Sequence, residues 1–245
     1  MSLKLLTIGQ ASKMIGVSIQ TLRRWDNSGK LSSIRKKTKG HRYYRKNDVE
    51  NYIKDNLKDL FKLAKLWVFN TVELKPYTDF YCRDSYVFQA RLIKLEKELS
   101  QLKRLSKTFS LISAIIGEIG NNSFDHNLGN WPGIPGIFFS YDIKKRKIVL
   151  ADRGQGFLKT LQKVKPELKN HKDALYVAFT EVVSGRAPEH RGNGLKFVKN
   201  IVINNEINLF FQTGDAKLEI KKNDINIRVK KTITNFRGCL ALIKF

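Results

Sequence analysis

The sequence predicts an α+β protein in which a small helical unit and a helical linker precede a two-layer α/β sandwich. Two patterns and one bulk property lead to this prediction. Apolar residues recur at helical spacing in the first half of the chain, and strand and helix patterns alternate in the last third. The 42% hydrophobic content of the 245 residues is enough to build a core. The expected divisions are residues 1–53, 54–107 and 108–245.

The first division contains two short helical patterns joined by a tight turn over 16–18. Ser18 is suited to cap the second helix, and Asn27-Ser28-Gly29 is a stop signal after it. Residues 32–44 combine cations and turn residues and predict a short hairpin, after which Asp48 opens another helix. The apolar positions of the two helices are Ile8, Ala11, Ile15, Ile19, Leu22 and Trp25.

The middle division contains a narrow apolar seam in steps of four and three residues. It permits two interpretations, a coiled coil between two copies of the chain or a helix packed on its own domain, and about three heptads do not decide between them. A homodimer is therefore one expectation. The seam consists of Phe88, Leu92, Leu95, Leu99, Leu102 and Phe109, with Ser106 as its polar position.

The last division predicts a helix from Leu111 onward and then a mixed, mainly antiparallel sheet with helices on one side. The hairpin turns expected in this sheet are 142–147 and Thr213-Gly214-Asp215. The strands are expected at 137–141, 148–151, 207–213, 217–221 and 237–245, and the helices at 173–183 and 195–202.

The charge of the chain indicates a polyanionic partner. Lys and Arg number 46 against 22 Asp and Glu, which gives a formal charge of +24. Charge alone also fits an anionic membrane surface, but no run approaches the roughly 18 apolar residues of a spanning helix, and the N-terminus lacks a signal-peptide core. Cys82 and Cys239 stand alone, without metal-ligand spacing. We expect a cytoplasmic protein that has no membrane partner.

The cations concentrate in residues 1–53, which hold 12 Lys and Arg against three acids. Two helices joined by a glycine-containing turn can place the second helix in the major groove of double-stranded DNA. Leu22 and Trp25 are expected in the core of this unit. The residues of the second helix left free to face DNA are Gln20, Thr21, Arg23 and Arg24.

The motifs Thr7-Ile8-Gly9-Gln10-Ala11, Gly16-Val17-Ser18, Thr21 to Trp25 and Gly40 to Tyr44 resemble the winged helix-turn-helix of MerR and excisionase-like proteins over about 50 residues. The resemblance implies that wing residues contact phosphates. The much larger C-terminal part departs from effector-sensing MerR regulators, so no drug or metal effector is inferred. The DNA contacts expected are Ser18, Gln20, Thr21, Arg23, Arg24, Lys39, His41, Arg42 and Tyr43.

Three polar residues at helical spacing open the C-terminal division. Glu118, Asn122 and His126 are four residues apart and share one helix face. The amide oxygen of Asn122 suits Mg²⁺, which keeps most of its waters and bridges phosphates. Glu118, one turn earlier, could orient or deprotonate a water molecule.

A carboxylate and a set of glycines complete the pattern. Asp152 ends an apolar run, where it could accept a hydrogen bond from the amino group of adenine, whereas guanine presents a carbonyl at that position. Gly154 and Gly156 permit close backbone approach to a nucleotide. Gly192-Asn193-Gly194 precedes a predicted helix, whose N-terminus favours phosphate.

Together these motifs resemble the ATPase domain of the GHKL superfamily, which includes gyrase, Hsp90 and histidine kinases, over residues 108–245. The resemblance implies ATP and Mg²⁺ as cofactors, Asn122 as the metal ligand, Asp152 as the adenine acceptor, Glu118 as the candidate base and 157–191 as a mobile lid. Gly238-Cys239 stands where the family often has Gly-Thr. The nucleotide-binding residues are expected to be Asn122, His126, Asp152, Gly154, Gly156, Arg191, Gly192, Asn193, Gly194 and Leu195.

Three functions fit these features. The first is a DNA-binding regulator whose nucleotide state biases binding of DNA or a partner. The second is a serine/threonine kinase of the anti-sigma type that acts on a separate, STAS-like protein. The third is a recombination or mobile-element accessory protein that closes its dimer on ATP. A histidine kinase is disfavoured because residues 88–117 contain no histidine.

Overall fold

The computed structural model describes residues 5–15, 17–35, 40–57, 59–69, 78–183 and 194–245. Contacts divide the chain into two compact units, Met1–Leu74 and Lys75–Phe245. Mixed helices and antiparallel sheets confirm the predicted α+β class. Among the described residues, no helix is both long and apolar enough to cross a bilayer.

The first unit is a helical bundle with a three-stranded antiparallel sheet in the order β1-β3-β2. Four residues of its core, Ala11, Leu22, Tyr44 and Val49, are fully buried. The Tyr44 hydroxyl donates a hydrogen bond to the Leu22 carbonyl at 3.2 Å. The hairpin expected over 32–44 is confirmed as β2 and β3. The elements are β1 (Leu5–Thr7), α1 (Ile8–Ile15), α2 (Ile19–Asn27), β2 (Ile34–Arg35), β3 (Arg42–Arg45), α3 (Lys46–Leu57) and α4 (Leu60–Phe69).

The second unit packs its helices against a seven-stranded sheet in the order β4-β5-β6-β10-β7-β8-β9. Each described strand pair is antiparallel. The elements are β4 (Tyr81–Cys82), α5 (Ser85–Ser100), α6 (Phe109–Asn127), β5 (Ile137–Asp142), β6 (Lys147–Asp152), α7 (Gly156–Leu161), α8 (His171–Thr180), α9 (Gly194–Asn204), β7 (Asn208–Thr213), β8 (Ala216–Ile220), β9 (Val229–Lys231) and β10 (Cys239–Lys244).

The apolar seam of α5 packs inside its own unit. Phe88, Leu92, Leu95 and Leu99 belong to the same buried cluster as the apolar face of α6 and the inner face of the sheet. Because these side chains already have partners, they are not a free surface for a second copy of the chain. Of the two interpretations of the seam, packing on its own domain is the one observed.

The predicted strands and the two hairpin turns occur within one or two residues of their expected positions. The prediction of a mobile lid over 157–191 is wrong for residues 157–183. These residues form α7 and α8 and bury apolar side chains in the main core, including Phe157, Leu175 and Phe179, so they are part of the domain itself. The remainder of the expected lid lies outside the described residues.

Two glycines in α6 provide a matched test of this packing. A Cβ added at Gly120 would lie 2.1 Å from Cζ of Phe88, whereas one at Gly117 would make an ordinary contact of 3.6 Å with Leu92. Alanine favours a helix over glycine by about 1 kcal/mol. We therefore expect Gly117→Ala to raise the free energy of unfolding by up to about 1 kcal/mol.

Gly120→Ala should instead lower the free energy of unfolding by about 1–3 kcal/mol, because the added methyl group overpacks the core. Urea denaturation of both variants measures the difference. Equal effects of the two substitutions would contradict the close packing of α5 on α6.

Candidate functional site

A cavity lies between the C-terminal half of α6, helix α7, the start of α9 and three central strands, β6, β7 and β10. The cavity is partly open to solvent. One side is polar and the opposite walls are apolar, which is the composition typical of a small-ligand site. The lining residues are Ile119, Asn122, Ser123, His126, Asn127, Asp152, Gly156, Phe157, Thr160, Leu195, Phe211 and Cys239.

Asp152 is the buried carboxyl group of this cavity, with only 2% of its surface exposed. The Gly154 amide donates to its Oδ1 and the Ser123 hydroxyl to its Oδ2, both at 2.8 Å. Burial, partly offset by these hydrogen bonds and by one with Cys239, raises the pKa of Asp152 to about 6. The carboxylate is therefore held in place at neutral pH and retains acceptor capacity for a ligand.

Asn127 fixes the loop that follows Asp152, a role that the sequence did not predict. Its Oδ1 accepts from the Gln155 amide at 2.7 Å, and its Nδ2 donates to the Ser123 carbonyl at 2.7 Å. A Cβ at Gly154 would lie 2.1 Å from Nδ2 of Asn127, so only glycine fits there. The available signal was an asparagine in the last turn of the helix that carries Asn122.

Thr213 closes the back of the same loop. Its hydroxyl donates to the Gly238 carbonyl at 2.9 Å and accepts from the Phe157 amide at 3.5 Å. Gly156 and Gly238 both have left-handed backbone, with φ of 75° and 97°, which favours glycine. The glycine expected at 156 therefore shapes the floor of the cavity, and Thr213 supplies a hydroxyl beside Cys239.

Glu118 and Asn122 lie against the N-terminus of α9. A Cβ at Gly194 would lie 2.3 Å from Oε2 of Glu118 and 3.7 Å from Nδ2 of Asn122. The structure thus brings both polar residues of α6 to the start of a helix whose first amides lack intrahelical partners. A phosphate group at this position would meet helix amides, an asparagine and a carboxylate.

The other expected nucleotide-binding residues divide between the wall and the undescribed part of the chain. His126 lines the cavity, and burial, with a smaller effect of Lys163, lowers its pKa and favours the neutral ring. Leu195 is a buried wall residue. Arg191, Gly192 and Asn193 lie outside the described residues.

The exposed face of α2 in the first unit carries the expected DNA-binding residues. Gln20, Arg23 and Arg24 are exposed, and Thr21 is half-buried. Ser18 caps the helix, because its hydroxyl accepts from the Thr21 amide at 3.0 Å. The cap orients the helix whether or not Ser18 also contacts DNA.

The wing is tied to the end of α2 by Asp26. Nε of Arg42 and Nη2 of Arg35 lie 2.7 and 2.9 Å from Oδ2 of Asp26, and the Ser33 amide donates to Oδ1 at 2.7 Å. Burial alone would raise the pKa of Asp26, but the hydrogen bonds from Arg42, Ser33 and Arg35 hold it well below its ordinary value. Arg42, expected to contact phosphate, is thus held in one orientation beside α2.

The remaining expected wing residues differ in exposure. His41 is exposed next to Arg42, and Tyr43 is half-buried in the central strand of the small sheet, opposite Ile34 and Thr7. Lys39 lies outside the described residues. The exposed cations of α2 and the wing leave the unit with a positive surface suited to a nucleic-acid backbone.

The family model described as MerR family regulatory protein matches residues 7–44. These residues form a MerR-type helix-turn-helix. The match spans α1, α2 and the wing, and it ends at Tyr44, so it supports a DNA-binding regulator and extends to none of the second unit.

A curated protein also shares a short stretch with this chain. The Type II methyltransferase M.Eco47II of Escherichia coli is 39% identical to it over 46 residues. These residues are 19% of this chain and 11% of that protein, so the similarity spans about one tenth of the length of that relative.

Proposed function

We propose that the chain is an ATP-binding transcriptional regulator, in which the nucleotide state of the second unit biases the binding of DNA or of a partner protein. The MerR-type helix-turn-helix supplies contact with double-stranded DNA. The GHKL-like arrangement of the second unit supplies the nucleotide site, with ATP and Mg²⁺ as its ligands. ATP binding and DNA binding are coupled only if ATP binds the DNA-competent and the DNA-incompetent states of the protein with different affinities.

The observation that carries the nucleotide site is the common cavity of Asp152 and Asn122. These residues are 30 positions apart, yet both line the same cavity, with a buried acceptor at one end and the N-terminus of α9 at the other. Adenine would donate its amino group to Asp152 and lie between the apolar walls. The phosphates would lie near α9, and the Asn122 amide oxygen would be the protein ligand of Mg²⁺.

Phosphoryl transfer is the second candidate, and the position of Glu118 favours it. Its carboxylate lies beside Gly194 and one turn from Asn122, where it could accept a proton from a serine or threonine hydroxyl of a partner such as a STAS-like protein. In this case the partner's hydroxyl would attack the γ-phosphorus, and the bond to the β-γ bridging oxygen would break.

Two measurements test the proposal together. Footprinting on the DNA upstream of its own gene, with and without Mg²⁺-ATP, should show a protected site whose occupancy changes with the nucleotide. Labelled ATP should bind without transfer to protein. Protection that is identical with and without ATP would exclude the sensor, and label on a partner's serine or threonine would favour the kinase.

A further inference from the structure

The second unit has an excess of positive charge that the MerR-type domain does not account for. Residues 75–245 contain 30 Lys and Arg against 16 Asp and Glu, a formal charge of +14. Eight of these cations lie at one end of the sheet, which we name the basic end. Its members are Lys103, Arg104, Lys107, Lys144, Lys145, Arg146, Lys147 and Lys244.

Strand register and one side-chain contact bring these residues together. Lys147 is paired with Lys244 on β10, and it ends the turn that begins at Asp142 on β5. The Tyr141 hydroxyl contacts Oε1 of Glu98 at 3.4 Å, which places the end of α5, and the segment 103–107 that follows it, at the same end of the sheet. Four consecutive cations at the hairpin tip thus lie near Lys244 and near the cations of segment 103–107.

These cations are available to a partner. All except Lys147, which is half-buried, are exposed. Among the described residues, Lys145 is paired with Asp142 at 3.2 Å, and no ion pair joins the other seven to a carboxylate. At seven of the eight cations, the phosphates of a partner would therefore not have to displace a carboxylate of this chain.

Arg146 supplies an independent observation. Its φ of 52° is in the left-handed region, which favours glycine or asparagine over arginine. The Phe245 amide donates to its carbonyl and its own amide donates to Ile143, so the backbone is fixed in this conformation. A long cation at a position suited to glycine makes Arg146 a candidate for a function other than folding.

We propose that the basic end is a second DNA-binding surface, which contacts the phosphate backbone of double-stranded DNA. Duplex DNA is the favoured polyanion because the same chain carries a MerR-type domain. The choice of DNA as the partner therefore rests on the proposed DNA-binding function. The surface lies at the opposite end of β6 from Asp152. A six-residue strand separates the two by about 17 Å, so DNA here leaves the nucleotide cavity free.

The test uses the full chain and a mixed-sequence duplex of about 40 base pairs. The variant Lys144→Gln/Arg146→Gln/Lys147→Gln should weaken binding about tenfold or more at roughly 0.1 M salt. It should also lower the slope of log K against log salt by about two to three, because each phosphate contact contributes about 0.9. Unchanged ATP binding would show that the second unit is still folded.

The matched control removes the same charge elsewhere. Lys172, Arg228 and Lys230 are also two lysines and one arginine, all exposed, at the far edge of the sheet around β9. Their replacement by glutamine should lower the salt slope by less than about one. If both triple variants lose equal affinity, net charge and not the basic end is responsible, and the inference is overturned.

Two further arms distinguish a second DNA surface from DNA binding by the first unit alone and from membrane binding. If Arg23→Gln/Arg24→Gln abolishes DNA binding but the triple variant of the basic end does not reduce it, the first unit alone binds DNA and the second surface is excluded. If the triple variant loses binding to phosphatidylserine vesicles while its DNA affinity is unchanged, the surface contacts a membrane instead. Absence of any DNA binding by the unmodified chain would refute the proposed function itself.

Arg146→Gly distinguishes a functional role of this residue from a structural one. Glycine relieves the left-handed strain, so the midpoint of thermal unfolding should stay the same or rise, while the salt slope of DNA binding should fall by about one. A lower unfolding midpoint with an unchanged slope would show that Arg146 stabilises the turn and does not contact DNA.

Discussion

Replacing Asp152 by asparagine should weaken ATP binding about ten- to hundredfold, the equivalent of about 1.4–2.8 kcal/mol. A carboxylate has acceptor capacity for Gly154, Ser123 and the adenine amino group, whereas an amide has one acceptor oxygen. The NH₂ group of the amide can donate to the carbonyl of guanine. Titration calorimetry with ATP and GTP should therefore show reduced preference for ATP in the variant.

The pH dependence of ATP affinity gives a second signature of Asp152. Because its pKa is raised to about 6, the carboxylate becomes protonated as pH falls from 7 to 5, and ATP affinity should fall with it. ATP phosphates titrate in the same range, but they do so equally for the Asp152→Asn variant. The difference between the two proteins isolates the carboxyl group, and equal pH profiles would exclude it as the adenine acceptor.

The stability of the ligand-free protein should rise as pH falls, whereas its ATP affinity should fall. The folded protein binds more protons at Asp152 than the unfolded chain does between pH 4 and 6, because the folded pKa exceeds the ordinary value of 3.8. This group therefore adds to the free energy of unfolding of the ligand-free protein as pH falls through 6. Urea denaturation at pH 7 and pH 5, compared with Asp152→Asn, measures the contribution.

Asn122→Ala should abolish detectable binding of Mg²⁺-ATP and leave DNA binding at low salt largely intact. The amide oxygen is the proposed protein ligand of the metal, and the MerR-type domain belongs to the other compact unit. Calorimetry with Mg²⁺-ATP and a gel-shift assay with duplex DNA are the two measurements. Loss of both activities would argue against two separate units.

The neighbouring Asn121 offers a matched control on the same helix. Its Oδ1 accepts from Nε2 of Gln89 at 2.7 Å, so it joins α6 to α5 and does not line the cavity. Asn121→Ala should lower the free energy of unfolding by about 1 kcal/mol and leave ATP affinity unchanged. If both alanine variants lose ATP equally, the effect of Asn122 is structural.

Local sequence signals were sufficient for the secondary structure. Two apolar runs with a polar turn between them located the hairpin at 142–147, and helical spacing placed Glu118, Asn122 and His126 on one face. Short elements such as β4 and β9 were not predicted, because two or three residues carry no readable period. The apolar seam of α5 was ambiguous, since periodicity shows which face is buried but not what covers it.

The sequence by itself determined the fold class, the MerR-type helix-turn-helix and the polar face of α6, because these depend on residue types at short spacing. Only the tertiary structure decided that Asp152 shares a cavity with Asn122, that Asn127 fixes the loop that follows Asp152, and that distant cations meet at one end of the sheet. Such proximity depends on strand order and on long-range packing. Neighbouring residues in the chain do not encode it.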